Sequence, residues 1–337
     1  MNSGKIYGLS PVWYAGACAV VALSCLAAAV VGLIAVPYST RSFSSQPTIA
    51  GSTSAASPIA SPTSILPSGK IVFTCRVYQA PNGDQVCIMD ADGSHWRKLT
   101  DNFFENYYPA LGPDGNSLVF ASSQSGAFEV YEMDVNGKQK QLTFGIGEAA
   151  APEISPDGTK IVFANNIHQF ERIWIMNRNG SNPHQIYFDP NADSLDPSWS
   201  PDGTKILFAH GNGDNKQLEI MNADGTGLRP IKNSFSTRGR SEWSPDGNLI
   251  AGYSGQGWDR GIYLMNADGS NLHPLPVGGT ALAPSFSPDS QWIVFTGYLD
   301  HPQDDNGCEI YIIRIDGRDL RRITNNDYCD WQPRWGR

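Results

Sequence analysis

The chain has 337 residues, with 34 glycines, 23 prolines, an aromatic share of 11 % and only 17 % charged residues. This composition excludes a disordered acidic tail and requires a folded globule. Its net charge of −9 excludes a mode of action that neutralises nucleic-acid phosphates, which needs a basic surface, so no nucleic-acid partner is expected.

After a short tail at 1–11, Val12 to Val36 is an uncharged, largely apolar run. As a helix it would rise about 37 Å, more than the roughly 30 Å hydrocarbon core of a bilayer. Pro11 and Pro37 bracket it, while Trp13, Tyr14 and Tyr38 suit the two headgroup zones. A cleaved secretory signal has an apolar core of only about 7 to 15 residues, so an uncleaved transmembrane signal-anchor is expected at 12–36. From 37 to 67 Ser, Thr and Pro dominate with almost no charge. Such a stretch cannot bury enough surface to fold and is expected to be a tether, a composition that an O-glycosylated stalk shares.

A repeat fills 68–337. Gly-Pro-Asp-Gly at Gly112 to Gly115 is followed by Ser-Pro-Asp-Gly at Ser155, Ser200 and Ser244 and by Ser-Pro-Asp-Ser at Ser287, with successive prolines 43, 45, 44 and 43 residues apart. Each copy precedes a short apolar run, such as Ile161-Val162-Phe163 or Ile206-Leu207-Phe208, which reads as a buried strand b. A strand c follows, as in Ile262-Tyr263-Leu264-Met265, and runs into an Asn-Ala-Asp-Gly turn whose glycine suits positive φ. Strand d is read in Arg97-Lys98-Leu99-Thr100, Lys140-Gln141-Leu142-Thr143 and Arg322-Ile323-Thr324. Strand a is read in the residues before each Pro-Asp-Gly, from Tyr108-Pro109-Ala110-Leu111 to Ala283-Pro284-Ser285-Phe286.

Four antiparallel strands are the content of a propeller blade. Lys70-Ile71-Val72-Phe73 opens the first unit with no strand a before it, and Gln332-Pro333-Arg334-Trp335 supplies that pattern near the carboxyl end. The expected fold is all-β: a six-bladed β-propeller with 3+1 ring closure by the C-terminal strand, preceded by one N-terminal transmembrane helix. Closure removes exposed sheet edges.

The strings Asp196-Pro197-Ser198-Trp199-Ser200-Pro201-Asp202-Gly203 and Ile262 to Asn271 resemble the repeat of the TolB-type, WD40-like (PD40) six-bladed propellers, over all of the chain past the tether. The resemblance implies the propeller fold. The family includes a periplasmic partner-binding protein and the substrate-gating propellers of prolyl-oligopeptidase-like peptidases. No Gly-x-Ser-x-Gly elbow of such a hydrolase occurs here.

Most repeat residues read as structural. Asp114, Asp157, Asp202, Asp246 and Asp289 sit in a-to-b turns, where Asp makes local backbone hydrogen bonds. Asp-x-Asp-Gly at Asp90 to Gly93 lacks the remaining ligands of a calcium loop and recurs as a turn. Trp199, Trp243 and Trp335 recur at one position and are expected between blades. His168, His210 and His301 have no zinc spacing, and no metal or cofactor is expected.

Cys18 and Cys25 lie in the apolar span, leaving Cys75, Cys87, Cys308 and Cys329, which permit three pairings. Cys75 ends a strand b and Cys87 lies in the strand c of the same hairpin; Cys308 begins the last strand c and Cys329 lies in the following d-to-a loop. The pairs Cys75–Cys87 and Cys308–Cys329 are therefore expected on one rim, and disulfides put the propeller outside the cytoplasm, periplasmic or at the cell surface.

That rim carries the b-to-c and d-to-a loops, which vary, whereas the turns of the other rim repeat. Recognition is usually placed on variable loops held by a rigid scaffold. Three adjacent blades carry Glu105, Glu148 and Asp193 before strand a, and Asp196 follows within it; the next blade carries Arg238 and Arg240. Tyr107, Tyr108, Tyr328 and Trp331 add aromatics suited to an interface anchor or to stacking on a sugar. The expectation is a monomeric, membrane-tethered, non-catalytic module that binds a protein or peptide through this rim and the channel mouth. The alternative is a carbohydrate-binding or glycoside-processing propeller, although the Ser-x-Asp-x-Gly-x-x-Trp box of sialidases is absent.

Overall fold

The computed structural model describes residues 67–77, 83–167, 169–213, 216–237 and 239–336. The span expected at 12–36 with Cys18 and Cys25, the tether up to 66, His168 and Arg238 lie outside the described residues.

The described strands form six four-stranded antiparallel sheets. Blade 1 has strands a to d at Asp330–Gly336, Lys70–Cys75, Gln85–Asp90 and Arg97–Lys98. Blade 2 has Asn106–Leu111, Ser117–Ser122, Glu129–Asp134 and Gln139–Gln141; blade 3 has Glu148–Ile154, Lys160–Asn166, Glu171–Asn177 and His184–Tyr187. Blade 4 has Asp193–Trp199, Lys205–Gly211, Gln217–Asn222 and Arg229–Pro230. Blade 5 has Glu242–Trp243, Leu249–Gln256, Asp259–Asn266 and His273–Pro274, and blade 6 has Ala281–Phe286, Trp292–Gly297, Glu309–Arg314 and Arg321–Arg322. The C-terminal strand pairs with Lys70–Cys75, which is the 3+1 closure.

The core is divided into six layers, one between each pair of neighbouring blades. Strand b explains why its sequence is a continuous apolar run: Ile71 and Phe73 pack towards blade 6 with Trp292 and Val294. Val72, between them, packs towards blade 2 with Leu118 and Phe120. A strand buried on both faces has no polar side to alternate with. Trp199 and Trp335 lie in the layers between blades 3 and 4 and between blades 6 and 1, and Trp243 packs against the layer between blades 4 and 5.

Strand d is shorter than the sequence pattern implies, because Leu-Thr leaves the ladder. The Thr100, Thr143 and Thr324 hydroxyls accept the backbone N–H of Val86, Val130 and Ile310 at 2.9, 2.8 and 2.8 Å, in place of a strand-to-strand carbonyl. Thr143 and Thr324 also donate to the buried carboxylates of Glu129 and Glu309. Strand a is longer than expected in five blades and carries one extra residue, as in blade 2, where Tyr107 and Ala110 face Ala121 and Val119. In those blades the residue before proline has positive φ: Tyr108, Ala151, Asp196, Ala283 and Gln332, between 48° and 55°. Proline, which has no N–H, fits such a bulge. Blade 5 has Ser241 in place of that proline, and its strand a shrinks to Glu242–Trp243.

Candidate functional site: the channel axis and the variable rim

Strand a runs from the variable rim down the axis to the Pro-Asp-Gly rim. At its lower end, the residue before the last inter-blade side chain (Trp335, Leu111, Ile154, Trp199, Trp243 and Phe286 in blades 1 to 6) is charged in blades 1, 3 and 5 (Arg334, Glu153, Glu242) and small in blades 2, 4 and 6 (Ala110, Ser198, Ser285). The Arg334 guanidinium donates to Glu153 at 2.7 Å and pairs with Glu242, and Arg240 of blade 5 donates to Glu153 at 2.6 Å. Contacts among three non-adjacent blades are possible only across the axis. The same carboxylates accept backbone N–H groups of the next blade, Glu153 from Trp199 at 3.2 Å and Glu242 from Phe286. The network therefore joins blades both across the ring and along it. Side chains converging on one axis leave no room for six large groups, which accounts for the alternation of charged and small residues.

Asp196 lies in this interior. Burial pushes its carboxyl up to about 6, opposed by the charges of Arg240, Lys216 and Arg334. Burial likewise raises Glu242, with Arg334 acting against it.

At the mouth, Trp331 meets Tyr107 edge-on at 5.4 Å, and Tyr107 stacks on Phe128 at 5.6 Å. The Arg76 guanidinium lies 5.7 Å from the Trp331 ring centroid and is paired with Asp84 at 3.2 Å. Burial raises Asp84 even beside Arg76, and Glu105 is raised by partial burial and by the neighbouring Asp84 charge. Both disulfides are at this rim. Cys75–Cys87 adjoins Arg76, with Cα atoms 6.0 Å apart, and Cys308–Cys329, at 4.5 Å, packs with Tyr298 against Trp258, Leu282 and Trp331.

The residues singled out in the sequence separate into different environments. Glu105 is exposed at the mouth and Trp331 is half-buried there, whereas Tyr107 and Tyr108 are only 9 % and 8 % exposed. Tyr107 is covered by Phe128 and Trp331, and the Tyr108 backbone N–H donates to the Gln332 side chain at 3.1 Å. Glu148 and Asp193 accept the N–H of Phe128 and Glu171 at 3.0 and 3.1 Å, fixing the start of the preceding blade's strand c. Asp196 and Arg240 are at the axis, and Tyr328 packs against the layer between blades 6 and 1. Of this set, Glu105, Tyr107 and Trp331 come together at the mouth and Asp196 and Arg240 at the axis. Glu153, Glu242, Arg334, Arg76 and Asp84 are absent from the sequence-based set, although the alternation of charged and small residues in strand a is a readable signal for the first three.

On the opposite rim the turn carboxylates are engaged locally. Asp157 and Asp202 accept from Ser155 and Ser200 hydroxyls at 2.6 Å and from Thr159 and Thr204 N–H at 3.0 Å, which holds Asp202 down to about 2. Among the described residues no group of three or more His, Cys, Asp or Glu is placed to hold a metal ion.

The family model for the TolB β-propeller domain (PD40) matches residues 52–225 and 190–296. No curated protein matches the sequence. Among solved structures, TolB from Acinetobacter baumannii is similar at 21 % identity and TM-score 0.69, over 80 % of this chain and 66 % of that one. The putative TolB from Agrobacterium tumefaciens is similar at 20 % and 0.57, over 77 % and 88 %. Kuenenia stuttgartiensis hydrazine synthase is similar at 17 % and 0.61, over 79 % of this chain and 46 % of that one. At these identities the likeness is one of fold. The family match spans well over half of the chain, and the chain belongs to the TolB β-propeller family.

Proposed function

We propose that the protein is a membrane-tethered, extracytoplasmic, non-catalytic module that binds a protein or peptide at its variable rim and channel mouth. The observation that carries this reading is the position of the two disulfides, which brace the rim beside Arg76 and Trp331. Covalent bracing lowers the ordering cost that a recognition surface incurs on binding, and disulfides persist outside the cytoplasm. The channel does not compete for this role, because the Arg334–Glu153–Arg240 network crosses the axis. The run at 12–36 supplies the anchor.

The test is purification of the full-length chain from membranes. Detergent, and not alkaline carbonate, should release it, with a stoichiometric protein partner that is lost on combining Glu105→Lys with Trp331→Ala while the melting curve is kept. Binding to purified glycans without any protein partner, or turnover of glycosides or peptides, would overturn the reading.

A further inference from the structure

Among the described residues, the large apolar side chains exposed on the variable rim lie on one side of the ring. Phe103 and Phe104 project from the loop between blades 1 and 2, Phe144 from that between blades 2 and 3, and Phe188 from that between blades 3 and 4; Phe103 is 77 % and Phe144 69 % exposed. Ile167, in the b-to-c loop of blade 3, lies on the same rim, and the remaining exposed large hydrophobics among the described residues, Trp96, Leu228, Leu272 and Leu320, precede strand d on the opposite side of their blades. A soluble surface seldom groups aromatics in this way without a binding role.

The same three loops, 101–105, 144–148 and 188–193, contain five carboxylates (Asp101, Glu105, Glu148, Asp189, Asp193) and no Lys or Arg. Lys98 pairs with Asp101 at 2.7 Å, Lys216 lies 3.9 Å from Asp193, His210 lies 3.4 Å from Asp189, and Arg172 lies over Phe188; five carboxylates against these two lysines and one arginine leave the surroundings of the phenylalanines net negative. The aromatic faces also accept cations: the Arg172 guanidinium lies 3.9 Å from the Phe188 ring centroid.

We infer that this arc docks a cationic, apolar segment of a partner protein, one in which large apolar side chains are interspersed with Lys or Arg. The inference rests on the protein-binding reading above and names the chemistry of the partner. Phe103 and Phe144 are the anchors, and the carboxylates steer and select the segment. An anionic bilayer is repelled by the same carboxylates. A second copy would set two acidic rims against each other in a chain whose net charge is −9.

The test selects random peptides of about a dozen residues on the detergent-solubilised full-length chain. The most enriched peptide is then measured by fluorescence anisotropy. Net-positive sequences rich in aromatic or aliphatic residues are expected. Binding should fall about tenfold or more in Phe103→Ser/Phe144→Ser, weaken with added salt and in Asp101→Asn/Glu105→Gln, and stay within about twofold in Leu228→Ser/Leu272→Ser. The Asp101/Glu105 variant leaves the aromatics in place and keeps the test open if the phenylalanine variant does not fold. Selection of neutral or acidic peptides, or unchanged affinity in the phenylalanine variant, overturns the inference. So does adsorption of the wild type, but not that variant, to phosphatidylglycerol vesicles, or a dimer that the variant abolishes. A co-purifying protein lost with Trp331→Ala yet kept by the phenylalanine variant would leave the broader function standing and remove this inference alone.

Discussion

Asp330 shows how a single residue departs from its surroundings in sequence. It is fully buried, its Oδ2 accepts from Asn326 at 2.8 Å, and its Oδ1 has no partner. Burial, reinforced by the nearby Glu309 charge, pushes the carboxyl up to about 8. A raised acid stabilises the fold fully only below its ordinary value near 4 and loses that contribution as pH climbs towards 8. The turn aspartates have the opposite sign: Asp114 and Asp202 are held down to about 2, so their contribution is present above about 4 and lost as pH falls towards 2. Melting temperature measured from pH 3 to 9 should therefore decline on both flanks for the wild type. Asp330→Asn should flatten the alkaline flank and melt higher than wild type at pH 8, with no gain at pH 4; a parallel pair of curves would refute this assignment. Nothing near Asp330 in the sequence marks it, since Cys329-Asp330-Trp331 reads as an ordinary loop end until the strand is placed between Glu309 and Asn326.

At the scale of strands and loops, the local code is strong. The Pro-Asp-Gly and Asn-Ala-Asp-Gly turns were legible because their hydrogen bonds are made within a few residues. Strand b was legible because both of its faces are apolar. The ends of strands were less so: whether Leu142-Thr143 continues strand d depends on a hydroxyl bond to Val130, in another strand. Gly252 is a comparable case, because its need appears only in the packing. A Cβ there would lie 2.3 Å from the Phe235 ring and 2.4 Å from the Ser241 hydroxyl. The cysteine pairs follow from strand content, and their effect can be estimated. Cys308–Cys329 closes a separation of 21 residues, for which chain-entropy arguments give about 3 kcal/mol. Calorimetry of Cys308→Ser/Cys329→Ser should show a loss of that order; a melt unchanged from wild type would mean that the packing of Tyr298 and Trp331 alone holds this loop.

For the whole molecule, ring closure and the axial network act together. Arg334 lies on the C-terminal strand that completes blade 1 and holds Glu153 of blade 3 and Glu242 of blade 5. Removing one member of a buried ionic group leaves the others uncompensated, at a cost of about 3–5 kcal/mol. Arg334→Met should lower the melting temperature by about 10 °C, and by more than Arg240→Met, which leaves both glutamates with Arg334. Equal losses in the two variants would show that Arg334 does not link the blades.

The repeat period, the turn residues and the doubly apolar strand b were sufficient to specify six four-stranded blades closed by the last strand, because the turns form within one blade and burial between two neighbours leaves every strand b with the same continuous apolar run. The meeting of Arg334 with Glu153, 181 residues away, and with Glu242, 92 residues away, is decided only when the ring closes. The same closure covers Tyr107 and Tyr108, which read as surface anchors along the chain, and leaves Phe103 and Phe144 in solvent. Burial at the rim depends on which blade lies alongside, and that neighbour is fixed by the tertiary fold.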